Sequence, residues 1–108
     1  MKYSMKTDMV YVKIHRYGEE VVVAICDEKL LGKKLVDKEK GIELYVDPYF
    51  YKGELMSLNK AFKILGKATI ANLVGINIVE KAVKEGFIHP DAILWINNIP
   101  HAQYVVYH

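Results

Sequence analysis

Cysteine occurs once in this 108-residue chain, at position 26. No disulfide can close within the chain, and a four-thiolate zinc site is excluded. An unpaired thiol points to a reducing compartment, hence the cytoplasm. Long apolar runs are also missing. The longest, residues 68–79, is interrupted by Thr69, Asn72, Gly75 and Asn77 and falls short of the ~20 residues a spanning helix needs. The first ten residues mix Lys2, Lys6 and Asp8 with polar side chains and lack the apolar centre of a secretory signal. A soluble protein with no membrane role is therefore expected. Charge of one sign is scarce as well. Fifteen Lys and Arg against thirteen Asp and Glu leave a formal charge of +2. The isoelectric point near 8.6 sits below the value of about 9 that marks a strong nucleic-acid footprint. Charge alone neither requires nor excludes nucleic acid. Glutamine appears once while Lys, Glu, Ile and Val abound, a balance that hints at a thermophilic source.

The common chemical motifs are absent too. A phosphate loop fails at Gly66-Lys67, because Ala61 stands where the first glycine belongs and Ala68 replaces the hydroxyl. No GxGxxG occurs. His15, His89, His101 and His108 are far apart, and no pair has the i,i+4 spacing of a helical zinc site. The carboxylates form no calcium-binding loop. No metal or cofactor is expected, and an enzyme is the less favoured class.

What is present is an ordinary globular composition, 52% hydrophobic and 26% charged, long enough for one core. Residues 1–8 show no period and read as an extension. Residues 9–108 read as one domain. Val10, Val12 and Ile14 alternate with Tyr11, Lys13 and His15, the period of a half-buried strand. A turn at Gly18 leads to the apolar run 21–26, so the two strands read as a hairpin. Asp27 can cap a short helical turn ending at Gly32, and 33–40 reads as a solvated charged segment. Ile42, Leu44 and Val46 form a third strand that ends at Asp47-Pro48, and 49–51 reads as an aromatic loop. Ser57 caps a first helix with Leu58, Ala61, Phe62 and Leu65 inward and Gly66 at its stop. Asn72 caps a second, with Ile76, Val79, Ala82 and Val83 inward, Gly86 at its end and a Glu80–Lys84 pair outside. Residues 68–71 fit either a strand or a helical turn. Residues 93–96 read as a buried strand, Asn97-Asn98 as a turn, and 103–107 as the last strand. Strands at both ends with helices between them argue an α+β fold: a small, mostly antiparallel sheet with two helices packed on one face.

Three places could carry chemistry. Cys26 beside Asp27, at a strand end and near a helix start, would have its thiolate stabilised, and with His101 it could serve as a nucleophile. Asn72 and Gly75 could hold an anion at a helix start. His101, fixed behind Pro100 and followed by Gln103, could act as an acid–base or read a base. The structural explanations are preferred at each: a small buried hydrophobe, a cap, a tight packing contact, a turn residue. For nucleic acid, Tyr49 and Tyr51 could stack bases while Lys33 and Lys34 track phosphates, although Asp37, Glu39, Glu43 and Asp47 dilute the field.

The run Cys26-Asp27-Glu28-Lys29-Leu30-Leu31-Gly32, the segment Asn72-Leu73-Val74-Gly75 and the closing Pro100-His101-Ala102-Gln103 together resemble a small, mainly archaeal family known as domain of unknown function 424. The likeness runs from Met9 onward. It implies a free-standing archaeal cytoplasmic protein and makes these three stretches landmarks, without implying a reaction, substrate or binding residue. The leading expectation is a small cytoplasmic binding protein associated with RNA or a ribonucleoprotein. The alternatives are a small enzyme using Cys26, Asp27 and His101, or a module that shows a protein partner its sheet face or the loop 49–51. Oligomeric state is not legible.

Overall fold

The computed structural model describes residues 8–106. The expected extension over residues 1–8 therefore lies outside the described residues except for Asp8, as do the last two positions. Alternation carries the first hairpin as expected. β1 (Met9–Tyr17) pairs antiparallel with β2 (Glu20–Asp27). Val10, Val12, Val23 and Ile25 point to one core, while Ala24 and Cys26 point to another. This explains why β2 reads as a nearly continuous apolar run: it is buried on both faces.

After a 3₁₀ turn over Glu28–Leu30, the segment expected to be solvated instead forms β3 (Lys34–Asp37), paired with β4 (Ile42–Tyr45). Leu35 and Asp37 are buried on one face of β3 while Lys34 and Val36 are exposed on the other, and the Asp37 carboxylate accepts from the Lys40 and Asn97 N–H groups. The aromatic stretch is also not a loop. It is the four-residue helix α1 (Pro48–Tyr51), whose cap Asp47 accepts from the Tyr49 N–H at 2.9 Å. β5 (Glu54–Ser57), too short for its period to be read, pairs with β1.

α2 (Leu58–Leu65) starts where expected. Ser57 Oγ accepts from the Lys60 N–H at 3.2 Å, Ala61 and Leu65 are buried, and Gly66 ends it. The ambiguous residues then resolve as strand β6 (Ile70–Val74), which lies parallel to β2. α3 (Ile76–Lys84) follows with Ile78, Val79 and Ala82 buried and Gly86 past its end. Ile76 stays partly exposed, and the i,i+4 pair that closes is Lys81–Glu85 at 3.8 Å. β7 (Leu94–Ile96) and β8 (Ile99–Val105) form the closing hairpin. β7 is an edge strand, so Leu94 and Trp95 remain partly exposed where a buried strand was expected.

Among the described residues the main sheet runs β5-β1-β2-β6-β8-β7, with the β2–β6 pair parallel and the others antiparallel. α2 and α3 pack on one face, giving the expected α+β arrangement. The β3–β4 ribbon and α1 cover part of the other face, around Cys26, Val74 and Ile96. No helix among the described residues is long and apolar enough to cross a membrane.

Two neighbouring parallel strands leave the sheet in opposite directions. From β2 the chain passes to the ribbon side, and from β6 it passes to α3. The turn into α3 is made by Gly75 at φ +120, a region costly to side chains. A methyl group there would also overlap the Asp27 carboxyl group. Gly75→Ala should therefore lose about 2–4 kcal/mol, combining backbone strain with a damaged cap. Gly66→Ala, at ordinary helical angles with its nearest neighbour at 3.5 Å, should stay within about 1 kcal/mol of the parent. Urea midpoints of the two variants measure the contrast, and equal midpoints would refute it.

Candidate functional site

The three landmark stretches meet at the ends of β2 and β6 and the start of β8. Register places Tyr11, Cys26, Val74, His101 and Leu94 in one row across five strands. The Gly75 N–H donates to the Pro100 carbonyl at 3.0 Å. Asp27 reaches over Gly75: its carboxylate accepts from the Asn77 N–H at 2.8 Å and the Ile78 N–H at 3.1 Å. The cap on α3 thus comes from a residue fifty positions earlier.

This arrangement corrects two expectations. Asp27 makes no side-chain bond to the 3₁₀ turn that follows it; it serves α3 instead. Asn72 caps nothing. It lies inside β6, where Ile70, Asn72 and Val74 face the ribbon side and Ala71 and Leu73 face the helices. The α3 start that was to receive an anion through Asn72 and Gly75 already holds the Asp27 carboxylate. Beside it is a cavity of about 310 Å³ whose apolar walls include Met9, Leu30, Ile76 and Ile99.

The nucleophile geometry does not form. Cys26 is fully buried in an apolar cluster with Val46, Tyr51 and Val74. Burial, reinforced by the neighbouring Asp27, pushes its thiol up to about 12, so neutral pH supplies almost no thiolate. Val74 separates it from His101, two strand spacings or about 10 Å away. Burial lowers the His101 imidazole below its ordinary value. Among the described residues no three His, Cys, Asp or Glu side chains gather as a metal site.

The aromatic trio divides. Tyr51 turns inward and is 4% exposed, with its hydroxyl pushed up to about 12 by burial and by Cys26. It cannot stack a base. Tyr49 is 85% exposed and Phe50 half-buried. Lys33 and Lys34 are exposed on the ribbon, where Lys34 lies 3.8 Å from Glu43.

A different surface gathers recognition chemistry. Beyond the ribbon and α1, two further rows of the same sheet face continue. One is Lys13, Ala24, Asn72, Gln103; the other is His15, Val22, Ile70, Val105. Ala24 is sealed, but Val22, Ile70 and Asn72 are only partly covered, and Gln103 and Val105 are open. The His15 ring lies between Tyr17, at 6.4 Å and 2° from parallel, and Phe50, at 4.8 Å and 15°. His15 Nε2 donates to the Phe50 carbonyl at 2.9 Å, which fixes the ring. Lys13 Nζ donates to the Tyr49 carbonyl at 2.7 Å and sits 5.1 Å over its ring. Gln103 Nε2 donates to Asn72 Oδ1 at 2.9 Å. The carboxylate of Glu20, opposite Tyr17, accepts from the Thr69 hydroxyl at 2.7 Å. Sequence reasoning counted Phe50 among the crowded aromatics but did not single out His15 and Tyr17 beside it. The signal was the alternation of β1, which puts Tyr11, Lys13, His15 and Tyr17 on one face; the partner ring, 35 positions away, carries no local signature.

A family model described as "Protein of unknown function (DUF424)" matches residues 15–107. The chain belongs to that family. No curated protein matches the sequence. An uncharacterised conserved protein from Methanopyrus kandleri, known from its crystal structure, is similar at 30% identity with a TM-score of 0.75. The match covers 93% of this chain and 95% of that one.

Two measurements test this description. Because Cys26 is the sole thiol, a thiol-reactive dye at pH 8 should label nothing until denaturant is added; prompt labelling of native protein would contradict the sealed position. Burial holds the Asp27 carboxyl above its ordinary 3.8, against the pull of the Asn77 and Ile78 N–H groups, with Glu80 adding to the rise. The folded state thus holds this proton more tightly than the unfolded chain. The stability linked to it is complete below pH 3.8 and fades as pH rises through the folded-state value. The stability advantage of the parent over Asp27→Asn should accordingly shrink between pH 4 and pH 7. A constant difference across urea titrations would show that the group titrates normally.

Proposed function

We propose that this DUF424 protein is a cytoplasmic RNA-binding protein, acting alone or within a ribonucleoprotein, that lays a single strand across the open rows of its sheet. The observation that carries the reading is the near-parallel Tyr17–His15–Phe50 stack on a partly uncovered face. Every base has a π-face, and stacking on aromatic side chains contributes about 1–3 kcal/mol per base. Tyr17 is 62% exposed and ends the stack on its open side. Tyr49 projects beside it with Lys13 across its ring. Lys52 follows α1, and Lys33 lies beside the strand that leads into it, its carbonyl accepting from the Val46 N–H at 2.8 Å. These cations could track phosphates. The cytoplasmic assignment is supported by the lone, buried, unpaired thiol.

Magnitudes shape the expectation. A net charge of +2 gives little long-range attraction, so stacking of two or three bases must supply most of the binding. Affinity should fall in the micromolar range. Electrostatics should then appear as a shallow salt dependence, with a slope of about −0.7 per phosphate contacted.

The test is fluorescence anisotropy of labelled 8-nucleotide single-stranded RNA. Tyr17→Ala and Tyr49→Ala should each weaken binding by about tenfold. Trp95→Ala, 39% exposed and placed on the opposite sheet face by its register in β7, should leave it unchanged. No binding by the parent at ~50 mM salt, or equal losses for all three variants, would reject the reading.

A further inference from the structure

Asn72 is out of place by the rules of strand composition. It sits in β6, an interior strand with β2 on one side and β8 on the other, where a β-branched residue would fit best and asparagine is disfavoured. Its neighbours on the same face are Ile70 and Val74 along the strand and Ala24 across it. Directly opposite on β8 stands Gln103, the chain's single glutamine. Each amide is the other's partner. One N–H of Gln103 is used on Asn72 Oδ1 at 2.9 Å. Among the described residues that leaves Gln103 Oε1, its second N–H and the Asn72 amide nitrogen available on the open face. Departures from local preference that bring no packing gain tend to mark functional positions.

We propose that the Asn72–Gln103 pair is the base-reading element of this surface and selects adenine. The inference rests on the RNA reading above and deepens it. An amide offers an acceptor beside a donor. Adenine offers the complement, an N6 amino donor beside a ring-nitrogen acceptor, on two edges, Watson–Crick and Hoogsteen, where cytosine offers it on one, and amide side chains meet it with two hydrogen bonds. Gln103 makes those contacts. Asn72 is a positioning residue: by accepting one Gln103 N–H it holds the amide plane, so little side-chain freedom is lost when the base arrives. The His15 row and the Asn72–Gln103 row are adjacent on this face, but His15 and Gln103 stand three strands apart, about 16 Å. A base over the amides would therefore be about two or three nucleotides along the strand from one stacked at Tyr17.

The experiment compares two labelled 8-mers, one of adenosine and one of purine riboside, which keeps the ring but lacks the N6 amino group. The parent should bind the adenosine strand about tenfold more tightly. Gln103→Leu, which keeps side-chain bulk, should bind both within about threefold, with the salt slope unchanged. Asn72→Val should also lose most of the preference while its melting temperature stays equal or rises, since valine suits a strand; a purely structural amide pair would instead lose stability. A parent that binds both strands equally, or a Gln103→Leu variant that still prefers adenosine, overturns this inference and leaves the RNA reading standing. Failure of the parent to bind either strand removes both.

Discussion

The Asp27 carboxylate, held over Gly75 against the first N–H groups of α3, is the contact on which the rest of the arrangement depends. It joins the end of β2 to the element that follows β6. A helix start leaves N–H groups without intrahelical partners, and a Ser or Asp at the local cap position usually supplies one. Here the cap position is glycine, which has nothing to offer. The carboxylate must then come from elsewhere, and glycine is required because any side chain would occupy the space Asp27 enters. The two residues define each other. Together they set the parallel β2–β6 register, place α3 over its sheet face, and bring the Pro100 carbonyl into reach of the Gly75 N–H.

Desolvation is what this contact costs. A carboxyl group 8% exposed holds its proton more tightly than a free one, and two backbone donors only partly offset that. The same burial governs the neighbouring thiol and the Tyr51 hydroxyl. The region where the landmark stretches converge is thus built of groups kept neutral or fully engaged. That is the signature of a structural joint. A nucleophile needs an accessible charge and a base within hydrogen-bond reach; neither condition holds at Cys26.

Elements with a clear period were legible in the sequence. β1, the first hairpin, α2 with its Ser57 cap, the end of α3 before Gly86 and the Asn97 turn, at φ 55, all follow from local chemistry. β6 was not, because its two faces differ in kind. Ala71 and Leu73 face helices while Asn72 faces the partly open side, so asparagine imitates a cap. The β3–β4 ribbon was hidden by its lysines, which are solvated on one face while Leu35 is buried on the other. Long-range partners were invisible for a simpler reason. The Asp27 cap, the His15–Phe50 stack and the Asn72–Gln103 pair join residues 50, 35 and 31 positions apart, and no local pattern encodes such distances. The landmark stretches were identified by resemblance, and the geometry shows why they form a set.

The remaining question is why a six-stranded sheet leaves part of one face uncovered. The excursion between β2 and β6 spends its apolar residues on one end of that face, sealing Cys26, Val74 and Ile96. Val22, Ile70 and Val105 receive little cover, although their burial would contribute at about 25 cal/mol per Å². A sheet selected for stability alone would extend the ribbon over them, or exchange them for polar residues as exposed antiparallel faces usually do. Neither has happened. The rows instead mix aliphatic side chains with two mutually bonded amides and border an aromatic stack fixed by backbone hydrogen bonds. Such a surface is too apolar for a face meant only for water and too polar to be an unfinished core. It suits a ligand that carries flat rings with hydrogen-bonding edges, and it is stable without that ligand because the two amides bond each other while their remaining donors and acceptor face solvent.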